Sequence, residues 1–272
     1  MNNPEFGENK GSLTDIEGFL IDLDGVLYTG TQPVTGAREV LRVLERRGYP
    51  YRFMSNSTRR CRASIAEKLH QMGFSIKPSL IITPAIAAAN SLKDKGKESC
   101  MLISTGDVYR DFEDAGIYMR DPFTNTVVMA DAGDAFTYGT LTDAFRLLLA
   151  GADLIALEKD RFWMGREGLM LSAGPYVVAL EFASGKESSL IGKPSPEFFL
   201  QGVRELGLDC RQVAMIGDDI TSDIGGAQGC GIHGILVKTG KYRKEEVQRS
   251  TIQPYLILDS IANLPEYLRR SR

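Results

Sequence analysis

The sequence predicts an α/β protein, with a three-layer Rossmann-like parallel-sheet core and a smaller α/β domain inserted into it. Three observations predict it. Short apolar runs of strand length alternate with amphipathic stretches of helix length, the pattern of β-α-β units. The alternation starts near the N-terminus and resumes near the C-terminus. Between the two, residues 83–186 alternate on their own over enough chain to bury a second small core. We therefore expect 13–82 and 187–272 to build the core and 83–186 the insertion, with 1–12 a flexible polar tail.

The elements follow in order. The apolar run 16–23 has the length of one strand. Residues 36–47 read as a helix, with Val40, Leu41 and Leu44 on one face and Gly48 as the stop. Residues 51–54 are a second strand. Residues 60–72 are a second helix, with Ile65 and Leu69 spaced i, i+4 and Gly73 as the stop. In the insertion, 101–104, 126–130 and 154–157 read as strands, and 141–149 and 176–183 as helices. Beyond it come a short strand, 189–191, and a helix, 196–206, with proline at its first turn. Strands 213–216, 232–237 and 255–258 then alternate with helices 220–229 and 261–269. Residues 241–249 mix both charge signs and read as solvated helix.

Composition excludes several classes. In 272 residues, 32 Lys and Arg face 35 Asp and Glu, a formal net charge of -3. That balance, without a dense basic stretch, argues against nucleic acid as a partner. No apolar run approaches the ~18 residues of a membrane span, so no membrane partner is expected. The N-terminal segment lacks the apolar stretch of a signal peptide. Four cysteines at 61, 100, 210 and 230 form no C-x-x-C pair, and only His70 and His233 accompany them. A zinc site or disulfide framework is therefore not expected, and free thiols suggest the cytoplasm.

The chemistry gathers at strand ends. The first strand closes in Asp22-Leu23-Asp24-Gly25. Residues i and i+2 of a strand point to one side, ~6.6 Å apart at about 3.3 Å per residue, so one acid can serve as nucleophile and the other as general acid. A calcium loop with Gly25 at its sixth position would need ligands at Leu20 and Thr31, which fits neither. Two turn-forming aspartates before a glycine would be the ordinary explanation of this pair alone. A second acidic cluster, Gly217-Asp218-Asp219-Ile220-Thr221-Ser222-Asp223, follows another strand. Asp219 or Asp223 singly reads equally well as a helix cap. In a parallel sheet, however, clusters after different strands meet on one carboxyl edge. Ser55 and Asn56 end a third strand and add a hydroxyl and backbone N–H groups, although Ser57 or Thr58 would also serve as an ordinary N-cap. Lys193 stands before Pro194, its base fixed by the ring, whereas most lysines are simply solvated.

Magnitudes decide what such a pocket holds. Carboxylates ~4 Å apart repel by about 4 kcal/mol per pair at an effective dielectric near 20. Lys193 supplies one compensating cation. With no spare His or Cys, the other must be a hard, oxygen-loving ion, and Mg²⁺ is the choice. Acids, Mg²⁺, a lysine and a hydroxyl describe a site for a transferring phosphoryl group. The Gly229-Cys230-Gly231-Ile232-His233-Gly234 run matches a dinucleotide fingerprint but precedes a strand and follows a helix, the reverse of what that fingerprint requires.

These residues resemble the four motifs of the haloacid dehalogenase superfamily, in the right order: Asp22-Leu23-Asp24-Gly25-Val26-Leu27, Ser55-Asn56, Lys193, and Gly217-Asp218 through Asp223. The insertion resembles that superfamily's class II (C2) cap. Gly192-Lys193-Pro194-Ser195-Pro196-Glu197-Phe198-Phe199, Ala130-Asp131-Ala132-Gly133, Gly168-Leu169-Met170-Leu171 and Gly174-Pro175-Tyr176 resemble the phospholysine phosphohistidine inorganic pyrophosphate phosphatase group. Animal members of that group can carry Ser where this chain has Asp24, which instead matches the broader phosphatase pattern. The resemblance implies a Mg²⁺-dependent phosphatase acting on a small phosphorylated substrate. Asp22 would become an aspartyl phosphate, and Asp24 would act as acid and then base. Asp22, the Asp24 carbonyl and Asp218 would hold the metal, with Asp219 or Asp223 behind them. Ser55, Asn56 and Lys193 would hold the phosphoryl oxygens. Lys159, Arg161, Phe162 and Trp163 follow a cap strand and are candidates for the roof, where surface charge and local packing are equally good readings. Relatives suggest a homodimer through the cap. A phospholigand-binding regulator and a phosphotransferase or mutase are the competing functions, since a fold does not fix the acceptor.

Overall fold

The computed structural model describes residues 13–119, 124–165 and 168–268; the expected tail 1–12 and the end of the expected helix at Arg269 lie outside the described residues. The chain divides into two compact units. One takes residues up to Ser55, Leu69–Ile81 and the chain from Phe199 onward; the other takes Asn56–Lys68 and Ile82–Phe198.

The first unit is built on strands Leu256–Leu258, His233–Val237, Val213–Gly217, Gly18–Asp22 and Tyr51–Met54, in that order across the sheet and all parallel. A short strand, Ile81–Ile82, adds the sixth place at the edge. The two central strands are buried along their whole length, as apolar runs covered on both faces should be. Register places the chemistry. Ile21 pairs with Ile216 and Asp22 with Met54, so Asp22, Ser55 and Asp218 leave the sheet at the same carboxyl edge. The helix Ala37–Arg46 buries Ala37, Val40, Leu41 and Leu44, the face the sequence spacing predicts.

The second unit has its own parallel sheet, ordered Ser189–Leu190, Asp153–Ala156, Thr126–Met129, Met101–Ile103. Helices Tyr138–Leu149 and Gly174–Ser184 cover it, and Val127, Met129, Leu148, Leu154, Val177 and Leu180 fill the core. An antiparallel hairpin, Phe162–Gly165 with Gly168–Leu171, projects from this unit. Its large apolar side chains, Phe162, Trp163, Met164, Leu169, Met170 and Leu171, are exposed. All four cysteines are free, and burial pushes the Cys100 thiol up to about 12, a packing residue rather than a nucleophile.

Several expected elements take another form. The helix expected at 220–229 winds as a π-helix over Ile220–Gly225, followed by a short α turn, Gly226–Gln228. Paired glycines weaken α winding there, and the wider turn lets Asp223 reach back to the preceding backbone. The helix expected from 261 is a 3₁₀ helix, Ile261–Glu266, because Pro265 inside it lacks the N–H an α-helix needs. The solvated helix expected over 241–249 is shorter, Lys244–Arg249, and buries Val247 against Ile220, Ile224 and Leu236. Helix Pro84–Asp94 was not expected, although its signal is local: Thr83 caps it by accepting from Ile86 N–H at 3.3 Å, and proline opens its first turn.

Candidate active site

The carboxyl edge of the first unit carries the acids. Asp22 is the last residue of its strand, Asp218 directly follows Gly217, and Asp223 lies in the π-helix. Each is buried, and one carboxylate oxygen from each lies within 4.8 Å of the other two. Asp223 Oδ2 accepts from the N–H groups of Asp218 at 3.2 Å and Asp219 at 3.1 Å. Asp218 Oδ2 accepts from Lys241 N–H at 2.6 Å. These dipoles offset only part of the repulsion among three buried charges. The donor set is all carboxylate oxygen, which fits a hard divalent cation such as Mg²⁺.

Asp24 is exposed, two residues past the strand's last acid. Its peptide with Gly25 is fixed, because Gly25 N–H donates to the Tyr28 carbonyl at 2.7 Å. Asp219 stands apart from the buried triplet and caps the π-helix, accepting from Thr221 and Ser222 N–H at 2.9 Å each. Burial pushes its carboxyl up, but those N–H donors and the Lys241 charge outweigh it and hold the group below the usual range.

Ser55 closes the first unit's strand and is half-buried, while Asn56 and Lys193 belong to the second unit. The Asn56 amide grips the backbone of Lys193. Nδ2 donates to its carbonyl at 3.0 Å, and Oδ1 accepts from its N–H at 2.9 Å. Lys193 is buried and precedes a cis Lys193–Pro194 peptide. Asn56 thus has a side-chain role that sequence reasoning, looking to its backbone N–H, missed.

Residues after Asn56 are stitched into the same unit. Thr58 is no helix cap: its Oγ1 accepts from Asp131 N–H at 3.3 Å, and the next helix starts only at Arg62. Ser57 likewise stands well before that helix, where the N–H of Cys61 is met by the Asp107 carboxylate and that of Arg62, the first helical residue, by the Asp111 carboxylate. Arg59 pairs with Asp131 at 2.9 Å and lies 5.3 Å from the Trp163 ring centroid. Sequence reasoning passed over Arg59, whose carboxylate partner is 72 residues away and leaves no local signal. Among the cap candidates, Lys159 is held by both oxygens of Glu181 at 2.8 Å, while Arg161 and Phe162 are exposed. Buried Glu158 ties the two feet of the hairpin, accepting from Asp160 N–H on one side and from Ser172 Oγ and Ala173 N–H on the other.

With this geometry in place, similarity to known proteins is informative. The haloacid dehalogenase-like hydrolase model matches residues 19–118, and the HAD-hydrolase-like model matches 190–264. A human relative, haloacid dehalogenase-like hydrolase domain-containing protein 2, is 38% identical over 253 residues, covering 93% of this chain and 96% of its own. Human phospholysine phosphohistidine inorganic pyrophosphate phosphatase is 37% identical over 262 residues, covering 94% and 95%. The solved 4-nitrophenylphosphatase of Thermotoga maritima superposes with a TM-score of 0.87 at 26% identity, over 95% of this chain and all of its own. The p-nitrophenyl phosphatase of Archaeoglobus fulgidus gives 0.86 at 26% identity, over 93% of this chain and all of its own.

Proposed function

This chain belongs to the haloacid dehalogenase-like hydrolase family and is a phosphatase of that family, and we propose that it is Mg²⁺-dependent and works through an aspartyl phosphate on Asp22. The observation that carries this reading is the meeting of three buried carboxylates, Asp22, Asp218 and Asp223, from two strand ends. Asp22, the Asp24 main-chain carbonyl and Asp218 would hold the ion, with Asp223 behind them and Asp219 shaping the turn. When bound, Mg²⁺ supplies positive charge that neutralises phosphoryl oxygens.

The chain's own groups divide the work. An ionised Asp22 oxygen attacks phosphorus, and the bond to the leaving oxygen breaks as Asp24 gives it a proton. Water then attacks the phosphoryl group on Asp22 and loses its proton to Asp24, releasing phosphate and restoring both acids. Ser55, Asn56 and Lys193 hold the remaining phosphoryl oxygens, Lys193 as a point charge. We read 83–186 as a C2-type cap, with Lys159, Arg161, Phe162 and Trp163 as its specificity candidates. Small phosphate monoesters are the proposed substrates; phosphoramidates or pyrophosphate enter by analogy with the human phospholysine phosphohistidine inorganic pyrophosphate phosphatase. The exposed apolar hairpin favours a homodimer.

The test is hydrolysis of p-nitrophenyl phosphate with Mg²⁺. Turnover that EDTA abolishes and Mg²⁺ restores is expected. Binding of phosphate esters with no turnover at saturating Mg²⁺ would instead make the protein a phospholigand sensor, and turnover indifferent to EDTA would remove the metal.

A further inference from the structure

Residues 238–243 join the strand His233–Val237 to the helix Lys244–Arg249 and carry none of the proposed catalytic or metal-binding groups. They nevertheless touch both halves of the carboxylate centre. Lys241 N–H donates to Asp218 Oδ2 at 2.6 Å. The Thr239 hydroxyl donates to the Gly25 carbonyl. Gly25 N–H is held in turn by the Tyr28 carbonyl at 2.7 Å. The Asp24–Gly25 and Gly25–Val26 peptides are therefore each fixed from outside, which fixes where the Asp24 carbonyl points.

The packing is as tight as the hydrogen bonding. Gly25 and Gly240 both have positive φ, +87° and +60°. A Cβ on either would collide with Asp218 Oδ2, and one on Gly240 would also meet the Gly25 Cα at 2.5 Å. Only glycine fits at both places. The two backbones and the Asp218 carboxylate are one interlocked layer.

We infer that residues 239–241 are a positioning element for the metal centre, in which Thr239 sets the Asp24–Gly25 turn and Lys241 N–H sets Asp218 so that both meet one ion. The inference rests on reading Asp22, the Asp24 carbonyl and Asp218 as magnesium ligands. Thr239 is a positioning residue. It acts through Gly25.

Calorimetric titration of the metal-free protein with MgCl₂ tests it. Loss of one such hydrogen bond is expected to weaken Mg²⁺ binding about fivefold in Thr239→Val, with the midpoint of magnesium activation moving by the same factor. Thr239→Ser, which keeps the hydroxyl, is expected to restore wild-type binding. Gly240→Ala is expected to weaken binding further, by displacing Asp218. Metal-free melting curves check folding. If Thr239→Val does not fold, the Ser and Gly240 variants decide: Ser as weak as a disrupted site, or Gly240→Ala as tight as wild type, overturns the inference. Thr239→Val binding like wild type overturns it too, while leaving the metal centre standing. Wild-type protein that takes up no Mg²⁺ removes the centre itself.

Discussion

The Asn56 side chain occupies both hydrogen-bonding groups of Lys193's own backbone, at 3.0 Å and 2.9 Å. The lysine that would neutralise a phosphoryl group is thereby aimed by a residue 137 positions away. Asn56→Ala would remove one hydrogen bond each from the N–H and C=O of buried Lys193, at ~1–3 kcal/mol each. We expect kcat/KM to fall about 10- to 100-fold, with Asn56→Asp intermediate because it keeps the acceptor and loses the donor. Steady-state kinetics on both variants checks this. Unchanged kcat/KM in a folded Asn56→Ala would detach Lys193 from the reaction.

Asp24 is expected to matter in proportion to leaving-group basicity. Asp24→Asn should slow alkyl phosphates far more than p-nitrophenyl phosphate, whose leaving oxygen needs little protonation. Equal losses on both substrates would take the acid role from Asp24.

Arg59 links the Asn56 segment to the hairpin through Asp131 and Trp163. Arg59→Gln removes an ion pair and a cation–π contact, the latter worth about 1 kcal/mol. The ratio of kcat/KM between a bulky and a small phosphate ester should shift roughly fivefold. A fixed ratio across a substrate panel would make the Arg59 cluster purely architectural.

Glu158 gives the pH prediction. Burial pushes its carboxyl above 4.5, and the hydrogen bonds from Ser172 Oγ and Ala173 N–H only partly counter this. A folded-state value above the unfolded one means the contribution to stability is full below about 4.5 and is lost as pH rises through the folded value. Glu158→Gln removes that loss. Its melting temperature relative to wild type should rise as pH goes from about 4 to 7. A constant difference across that range would mean Glu158 is not the group titrating.

Much of the layout was legible because its signals are local. The strand ending in Asp22 is a continuous apolar run, and the two acidic clusters follow strands, so parallel pairing alone brings them to one edge. The buried face of Ala37–Arg46 follows from 3.6-residue spacing. What was hidden depends on partners far along the chain. Nothing near Asn56 says that its amide would clamp residue 193, and nothing near Arg59 announces Asp131. The π winding of Ile220–Gly225 was hidden because its capped, alternating pattern is also that of an α-helix. The reach of Asp223 toward the N–H groups of 218 and 219, which accompanies the wider turn, is a tertiary demand.

The central claim is that Asp22 itself becomes phosphorylated. Acid-quenching the enzyme during turnover, digesting it and sequencing the peptides by mass spectrometry reads this directly. One phosphoryl group on Asp22 is predicted, accumulating further in Asp24→Asn and absent in Asp22→Asn, which should show no turnover. Full activity in Asp22→Asn, or a phosphoryl group on any other residue, would contradict it.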